Sequence, residues 1–402
     1  MVPMKRCLFF LFLISLSTPG WCARRVTVSQ LQELLRSLKE EKKTDTESAV
    51  ALQQVELSEQ LTRGVMNVLT KSVPGPLTTE QLYVLEARSA ALTPPASDIP
   101  DRPAPDAEAQ KAILARSDNY ISRSYEQTPL LAAKKTTLRF QDSTVAIASS
   151  SGISSGAKDA VTSSGLTNPN AFIHYINAAA QQVVLDRGAV RQSTAKDSVR
   201  WGANGLIRVP EPDPSLALVF REARAAGTVQ WSRWELIGAK PSAVFSFEVP
   251  RQSSKLEVNV CCFPNVRQAG IARFYSSMTG PVLGAERGVG GGVAGNFQTN
   301  TDWNEFKSGA PYHGYFYIDP DSGTVVRMIV EAEMKPSDIV HEMVTRIDYG
   351  LAKVGQSTFI VPVRSVVNLV VVPNGESGAG GYSTRTSLFS SEYSEYRLSP
   401  SN

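Results

Sequence analysis

The amino-acid sequence predicts a mixed α+β fold: a small N-terminal helical domain, then a curved antiparallel sheet forming an open β-barrel with a packed helix. Two patterns support this class. Apolar residues recur at steps of three and four between residues 26 and 92, as they do in amphipathic helices. Beyond residue 228, runs of β-branched and aromatic residues alternate with turn-forming residues, which is typical of a meander of antiparallel strands.

Residues 1–22 have the organisation of a secretory signal peptide. Lys5 and Arg6 precede an apolar stretch that is too short to span a bilayer comfortably, and we expect cleavage after Cys22. A lipoprotein acylated on Cys22 is the alternative, but the bulky Trp21 stands where a small residue is wanted. We therefore expect a periplasmic or secreted protein without an integral membrane span.

The helical domain is predicted to cover residues 23–92, in three short helices. Leu31 and Leu35 belong to the apolar stripe of the first, the second is expected to run from about Ser48 past Val55 and Leu57, and the third follows. Residues 93–106 contain too much proline for a helix or a strand, and they predict a stiff linker.

The remaining residues, 107–402, are predicted to form the antiparallel β-rich domain with helical insertions. One helix is expected directly after Asp106, and a second is expected over LALVFREARAA, ending at Gly227. The most clearly patterned strands are in PYHGYFYIDPDSGTVVRM, where Pro320 and Gly323 favour a tight turn. Strict alternation places Phe316, Ile318, Val326, Met328 and Val330 on one face and Tyr315, Tyr317, Val325, Arg327 and Ile329 on the other.

Charge and motifs argue against several classes of protein. The 41 basic and 38 acidic residues are interspersed, so nucleic-acid binding is not favoured. The glycines at 290, 292 and 295 fit a dinucleotide fingerprint, but no helix-forming segment follows them. The S-x-x-K motifs of residues 155–158 and 193–196 follow the S-x-N motif, which reverses the order found in penicillin-recognising enzymes. Three scattered histidines have no metal-ligand spacing. We therefore expect neither a cofactor nor a metal, and a hydrolase is only the third alternative for function.

Cys261 and Cys262 would be the two cysteines of a cleaved chain. Neighbouring residues of a strand point to opposite faces, so a disulfide between them would be strained. The sequence favours two small residues of a strand and leaves a redox pair or an intermolecular bridge as alternatives.

Several segments resemble a family of exported bacterial proteins of the acidobacterial type: WSRWELIGAKPSAVFSFEVP, PYHGYFYIDPDSGTVVRM, IDYGLAKVGQSTFIVPVRSV and the terminal YSEYR. The layout of the C-terminal strands also resembles the outer-membrane lipoprotein carriers, in which an open antiparallel barrel wraps around helices and encloses an apolar cavity. The second resemblance implies a carrier-like barrel. Neither resemblance supplies a catalytic residue.

These patterns predict a non-enzymatic protein that binds a lipid, an acyl chain, a lipoprotein or another apolar ligand in the cell envelope. Its predicted lining residues are Phe245, Phe247, Trp231, Trp234, Leu218 and Phe220, and the two tryptophans are expected on opposite faces of one strand. An envelope scaffold protein without a small ligand is the alternative. A hollow interior would favour ligand binding, and a filled one would favour the scaffold. The sequence does not determine the oligomeric state.

Overall fold

The computed structural model describes residues 24–141, 173–192, 214–264, 303–371 and 385–399. The signal peptide predicted for residues 1–22, the S-x-x-K motifs and the glycine-rich segment at 284–295 lie outside these ranges. No helix within these ranges is both long and apolar enough to cross a bilayer.

The N-terminal region contains four helices and a pair of short strands. Its elements are β1 (Arg24–Val26), α1 (Val28–Glu40), α2 (Asp45–Gln53), β2 (Val55–Leu57), α3 (Arg63–Leu69) and α4 (Pro76–Arg88). Thr27 and Thr44 begin α1 and α2 with capping boxes. Each threonine hydroxyl accepts a hydrogen bond from the backbone N–H three residues on, and the side chain of that residue, Gln30 or Glu47, accepts from the threonine backbone N–H. Leu31, Leu52 and Leu82 form the centre of its apolar core.

The predicted second helix is wrong over Val55 and Leu57. These residues form β2, which pairs in parallel with β1, residue 55 beside residue 24. The pairing joins segments about thirty residues apart, so it depends on tertiary contacts that a periodic pattern of apolar residues does not report.

The described residues of the C-terminal region form two further helices and twelve strands. They are α5 (Ala107–Tyr120), continued by a π-helical turn (Ile121–Tyr125), β3 (Leu131–Gln141), β4 (His174–Asp186), β5 (Ala189–Gln192), α6 (Leu216–Ala226), β6 (Gln230–Ile237), β7 (Lys240–Val249), β8 (Glu257–Pro264), β9 (Trp303–Gly309), β10 (Tyr312–Ile318), β11 (Val325–Ala332), β12 (Val340–Val354), β13 (Ser357–Val371) and β14 (Arg385–Leu398). Gly227 ends α6 in the left-handed conformation, as the sequence predicts.

Ten of these strands form one antiparallel sheet, in the order β5-β4-β3-β14-β13-β12-β11-β10-β7-β6. The sheet is curved but is not closed into a barrel, which confirms the predicted fold class. β8 and β9 form a separate antiparallel pair. The backbone of Cys261 and Cys262 lies in β8, as expected, and their side chains fall outside the described part of the structure.

One face of the large sheet is covered by α5 and α6. We call it the α6 face; Phe245, Phe316, Met328 and Ile347 lie on it. The predicted helix over LALVF packs there through Leu216, Val219 and Phe220. This packing buries the largest apolar cluster of the protein's described residues.

The opposite face, which we call the α4 face, carries Val244, Tyr317, Ile329 and Val366. Glu86 of α4 accepts two hydrogen bonds from the guanidinium group of Arg364, at 2.6 and 2.5 Å, and both side chains are buried. Such a bidentate pair is specific in geometry. It holds the N-terminal helices against the sheet.

A second, largely buried ion cluster lies on the same face. The Asp348 carboxylate accepts from Nε of Arg327 at 2.6 Å and from Nη2 of Arg346 at 2.9 Å. Burial by itself raises the pKa of Asp348, but the two positive charges outweigh it and hold that pKa well below its ordinary value. Asp348 is therefore ionised throughout the physiological pH range.

The β10–β11 hairpin forms as predicted, with one difference in its faces. The register shifts between Tyr317 and Ile318, so Ile318 lies opposite Val325. This β-bulge brings Val325 into the α6-face core, whereas Val326 joins the α4 face. The expectation from strict alternation is therefore wrong for these two valines.

Candidate functional site

The two tryptophans of β6 lie on the same face of the sheet, contrary to the prediction. A register shift between Trp231 and Arg233 inserts an extra residue into β6, and this reverses the alternation. The ring centroids of Trp231 and Trp234 are 5.0 Å apart in an edge-to-face arrangement. Both rings therefore pack on the α6-face cluster.

Three of the other four predicted lining residues lie in a dense core. Phe245 and Phe247 lie on the α6 face, as expected, and are 1% and 3% exposed. The ring of Phe247 stacks on that of Phe316 at 4.3 Å, and Phe220 of α6 reaches the same ring at 5.0 Å. Leu218 is half-buried and does not belong to the cluster. These rings contact one another, and none of the four residues lines either cavity described below.

The α6 face becomes polar where β3 and β14 cross it. Lys135 and Arg139 are 4% and 0% exposed, and their side chains lie over the rings of Tyr393 and Phe389. Between them, the hydroxyl group of Thr137 is bonded to that of Ser391. The interior of the sheet is therefore not a continuous apolar track for an acyl chain.

The β10–β11 turn is held tightly against α5. Nε of Arg116 donates to the carbonyl oxygen of Pro320 at 3.0 Å. Gly323 has a φ of +76°, and a Cβ atom there would lie 2.4 Å from the carbonyl carbon of Arg116. Only glycine fits this position. The turn and the helix pack together as one wall, and a cavity lies on each side of it.

The larger cavity, which we call the basic cleft, has a volume of about 530 Å³. The Pro-rich segment, α5, the β6–β7 hairpin and the β10–β11 turn form its walls. Trp234, Ile113 and Pro241 supply apolar surface, while Arg102, Arg116 and Lys240 supply positive charge. Asp319 and Asp321 also line it, and one oxygen of Asp319 accepts two backbone hydrogen bonds of the turn.

The Pro-rich segment is part of this site. Nε1 of Trp234 donates to the carbonyl oxygen of Pro103 at 2.8 Å, and the Arg102 guanidinium lies 4.2 Å above the ring. The first contact fixes the orientation of the ring, and the second holds a cation over its face. Residues 93–106 thus form a wall of the basic cleft in addition to connecting two regions.

The smaller cavity, which we call the hydroxyl cavity, has a volume of about 390 Å³. Five of its lining residues carry a hydroxyl group, and one carries an amide: Tyr120, Thr128, Ser322, Thr324 and Thr358, together with Asn119. Apolar surface comes from the rings of Tyr125 and Phe359 and from Ile360. None of its lining side chains is a carboxylate or a basic group.

Among the residues that line these two cavities, the sequence predicts only Trp234 as a ligand-lining residue. Arg102, Arg116, Lys240 and Tyr120 belong to no motif, and they come together through folding. Within the part of the chain that the structure describes, no three His, Cys, Asp or Glu side chains gather as a metal site would require.

Comparison with known proteins leaves the function to be inferred from this geometry. No protein-family model, no curated protein sequence and no solved structure matches the chain.

Proposed function

We propose that this chain is an exported, non-catalytic binding protein, and that the basic cleft holds an amphiphile with an apolar part and an acidic group. One observation carries the proposal: apolar walls and three basic side chains meet in a cavity of about 530 Å³. That volume lies within the ordinary range of small-molecule sites. The signal-like residues 1–22 support the exported location.

The charges in the cleft favour an acidic ligand. The side chains of Arg102 and Lys240 form no ion pair with any residue in the described ranges. Asp319 is engaged by its own turn, which leaves Asp321 as the more accessible carboxylate. A carboxylate or phosphate in the cleft would thus meet more positive than negative charge, and a stacked guanidinium keeps its N–H groups available as donors.

The apolar walls favour a hydrocarbon part. Trp234 is 4% exposed, so only a small part of its surface faces the cleft, and that part is held in a fixed orientation. Ile113 and Pro241 extend the apolar surface beside it. Burying about 100 Å² of hydrocarbon against such a surface is worth about 2.5 kcal/mol, before the costs of association are subtracted.

A matched pair of ligands tests both parts of the proposal. Oleate and oleyl alcohol share one hydrocarbon chain, and only oleate carries a charge at neutral pH. We expect the purified protein to bind oleate more tightly, and we expect Arg102→Gln combined with Lys240→Gln to abolish most of that preference. At about 1 kcal/mol for each exposed charge pair, each substitution weakens oleate binding about fivefold.

The control removes a basic side chain elsewhere. Arg251 is exposed in the turn after β7 and does not line the cleft, so Arg251→Gln should leave both affinities unchanged. Native mass spectrometry of protein recovered from its export compartment gives a second readout, since a bound amphiphile should co-purify. Equal affinity for the two ligands in every variant would contradict the proposal.

A scaffold protein is the second candidate, and the filled aromatic core favours it. Phe247, Phe316 and Phe220 pack against one another where a carrier-like barrel would hold its ligand. If neither oleate nor oleyl alcohol binds and nothing co-purifies, the scaffold becomes the better explanation.

A further inference from the structure

We infer that the hydroxyl cavity is a second binding site, and that its ligand is an uncharged, hydroxyl-rich molecule the size of one or two sugar rings. This site is independent of the basic cleft. The contact between Gly323 and Arg116 separates the two cavities, and no residue lines both.

The lining chemistry points to an uncharged ligand. Hydroxyl-bearing residues line the cavity from the end of α5, the segment before β3, the β10–β11 turn and the start of β13. Each hydroxyl both donates and accepts, which suits the hydroxyl groups of a saccharide. A charged ligand would be desolvated in the cavity without meeting an opposite charge on its walls.

The Tyr120 hydroxyl is the strongest sign that a ligand is expected. Tyr120 is 8% exposed, and its oxygen has no hydrogen-bond partner in the described structure. Burial raises the pKa of Tyr120, so the group is a neutral phenol that offers both a donor and an acceptor. Buried polar groups without partners are uncommon in folded proteins, and this one belongs to a residue that lines the cavity.

The surroundings of Tyr120 keep it in place. Its ring lies 6.4 Å from that of Tyr125, whose hydroxyl donates to the carbonyl oxygen of Gly188. A Cβ atom at Gly188 would come within 2.2 Å of the Tyr125 ring, so the two segments pack closely. The unpartnered hydroxyl therefore belongs to a well-packed part of the protein.

Phe359 supplies the apolar surface that a sugar needs. It is only partly buried, and it lies beside Thr358 at the beginning of β13. The face of an aromatic ring is electronegative, and the C–H groups on one side of a pyranose are weakly electropositive. A sugar can thus stack on Phe359 while its hydroxyl groups reach the polar wall.

The test measures saccharide binding by calorimetry and by ligand-observed NMR with the full-length mature protein. The probes are the methyl glycosides of glucose, galactose, mannose and N-acetylglucosamine, together with cellobiose and maltose. Galacturonate serves as the charged comparison. We expect at least one neutral probe to bind and galacturonate to bind more weakly than methyl galactoside.

Tyr120→Phe separates a binding role from a structural role. Losing one neutral hydrogen bond should weaken sugar binding about threefold to tenfold. The melting temperature of the ligand-free variant should stay equal or rise, because the substitution removes a buried polar group that has no partner in the fold. Tyr83→Phe is the matched control, since Tyr83 is an exposed tyrosine of α4 and should change neither quantity.

Thr358→Val provides a second variant, on β13 instead of α5. Thr358 is exposed at the start of β13, so the fold should tolerate valine while sugar binding falls by a similar factor. The inference is overturned if no neutral probe binds at millimolar concentration, or if Tyr120→Phe binds as well as the native protein. A lower melting temperature for Tyr120→Phe would also overturn it, because the hydroxyl would then serve the fold.

Discussion

Replacing Phe247 by alanine tests whether the aromatic residues of the α6 face form a packed core or a ligand pocket. Phe247 is 3% exposed, stacks on Phe316 at 4.3 Å and meets the edge of Tyr312 at 6.0 Å. Deleting a fully packed phenylalanine side chain costs about 3 to 5 kcal/mol of unfolding free energy. The cost depends on how well the neighbours can collapse into the space.

Collapse is restricted at this site. Gly314 lies directly opposite Phe247 on β10 and has no side chain with which to fill the gap. Its backbone is also close to β11, since a Cβ atom at Gly314 would lie 1.9 Å from the Ile329 carbonyl oxygen. We therefore expect a loss of about 4 kcal/mol, in the upper part of that range.

Urea denaturation followed by near-ultraviolet circular dichroism measures this loss. Phe359→Ala is the control, because Phe359 is only partly buried beside the hydroxyl cavity and should cost less than about 2 kcal/mol. A loss below about 1.5 kcal/mol for Phe247→Ala would refute the packed-core interpretation. Release of a bound apolar ligand by the same variant, seen by native mass spectrometry, would point to a pocket instead.

Three further predictions concern buried contacts, all measured by urea denaturation. Glu86→Leu should cost about 3 to 5 kcal/mol because it leaves Arg364 buried without its partner, and adding Arg364→Met should recover much of the loss; a double variant as unstable as the single one would contradict this. Both Gly323 and Gly238 have a positive φ, but only at Gly323 would a Cβ atom meet the backbone of another segment. Gly238→Ala should therefore lose only about 1 to 2 kcal/mol of unfolding free energy, and Gly323→Ala should lose more. Equal losses would show that the turn is not pressed against α5. The lowered pKa of Asp348 contributes stability above its unfolded pKa of about 3.9, and that contribution is lost as the pH falls further. Below about pH 4, the unfolding free energy of Asp348→Asn should therefore fall less steeply with pH than that of the native protein. Identical slopes for the two proteins would contradict the assignment.

Local patterns in the sequence were sufficient for several elements. The N-cap of Asp106 and the left-handed Gly227 mark the beginning of α5 and the end of α6. The turn residues Pro320 and Gly323 place the β10–β11 hairpin. These signals depend on contacts within a few residues, so the amino-acid order alone contains them.

Weak local patterns hid other elements. β4 passes through three consecutive alanines and two glutamines, which have little preference for strands, and it was not predicted. The pairing of β1 with β2 replaced a predicted helix. In both places the neighbouring strand supplies the stability that local propensity does not.

The sequence by itself determined the α+β class, the order of most elements and the inward-facing positions of Phe245 and Phe247. It did not determine which faces they take after a β-bulge, because one extra residue reverses every later side chain, as it does for Trp234 and Val325. It also did not reveal the two cavities. Arg102 lines one cavity together with the β10–β11 turn, and Tyr120 lines the other together with Thr358, although more than two hundred residues of chain separate each pair. Only the folding of the sheet around α5 brings them together, because no local interaction connects segments so far apart.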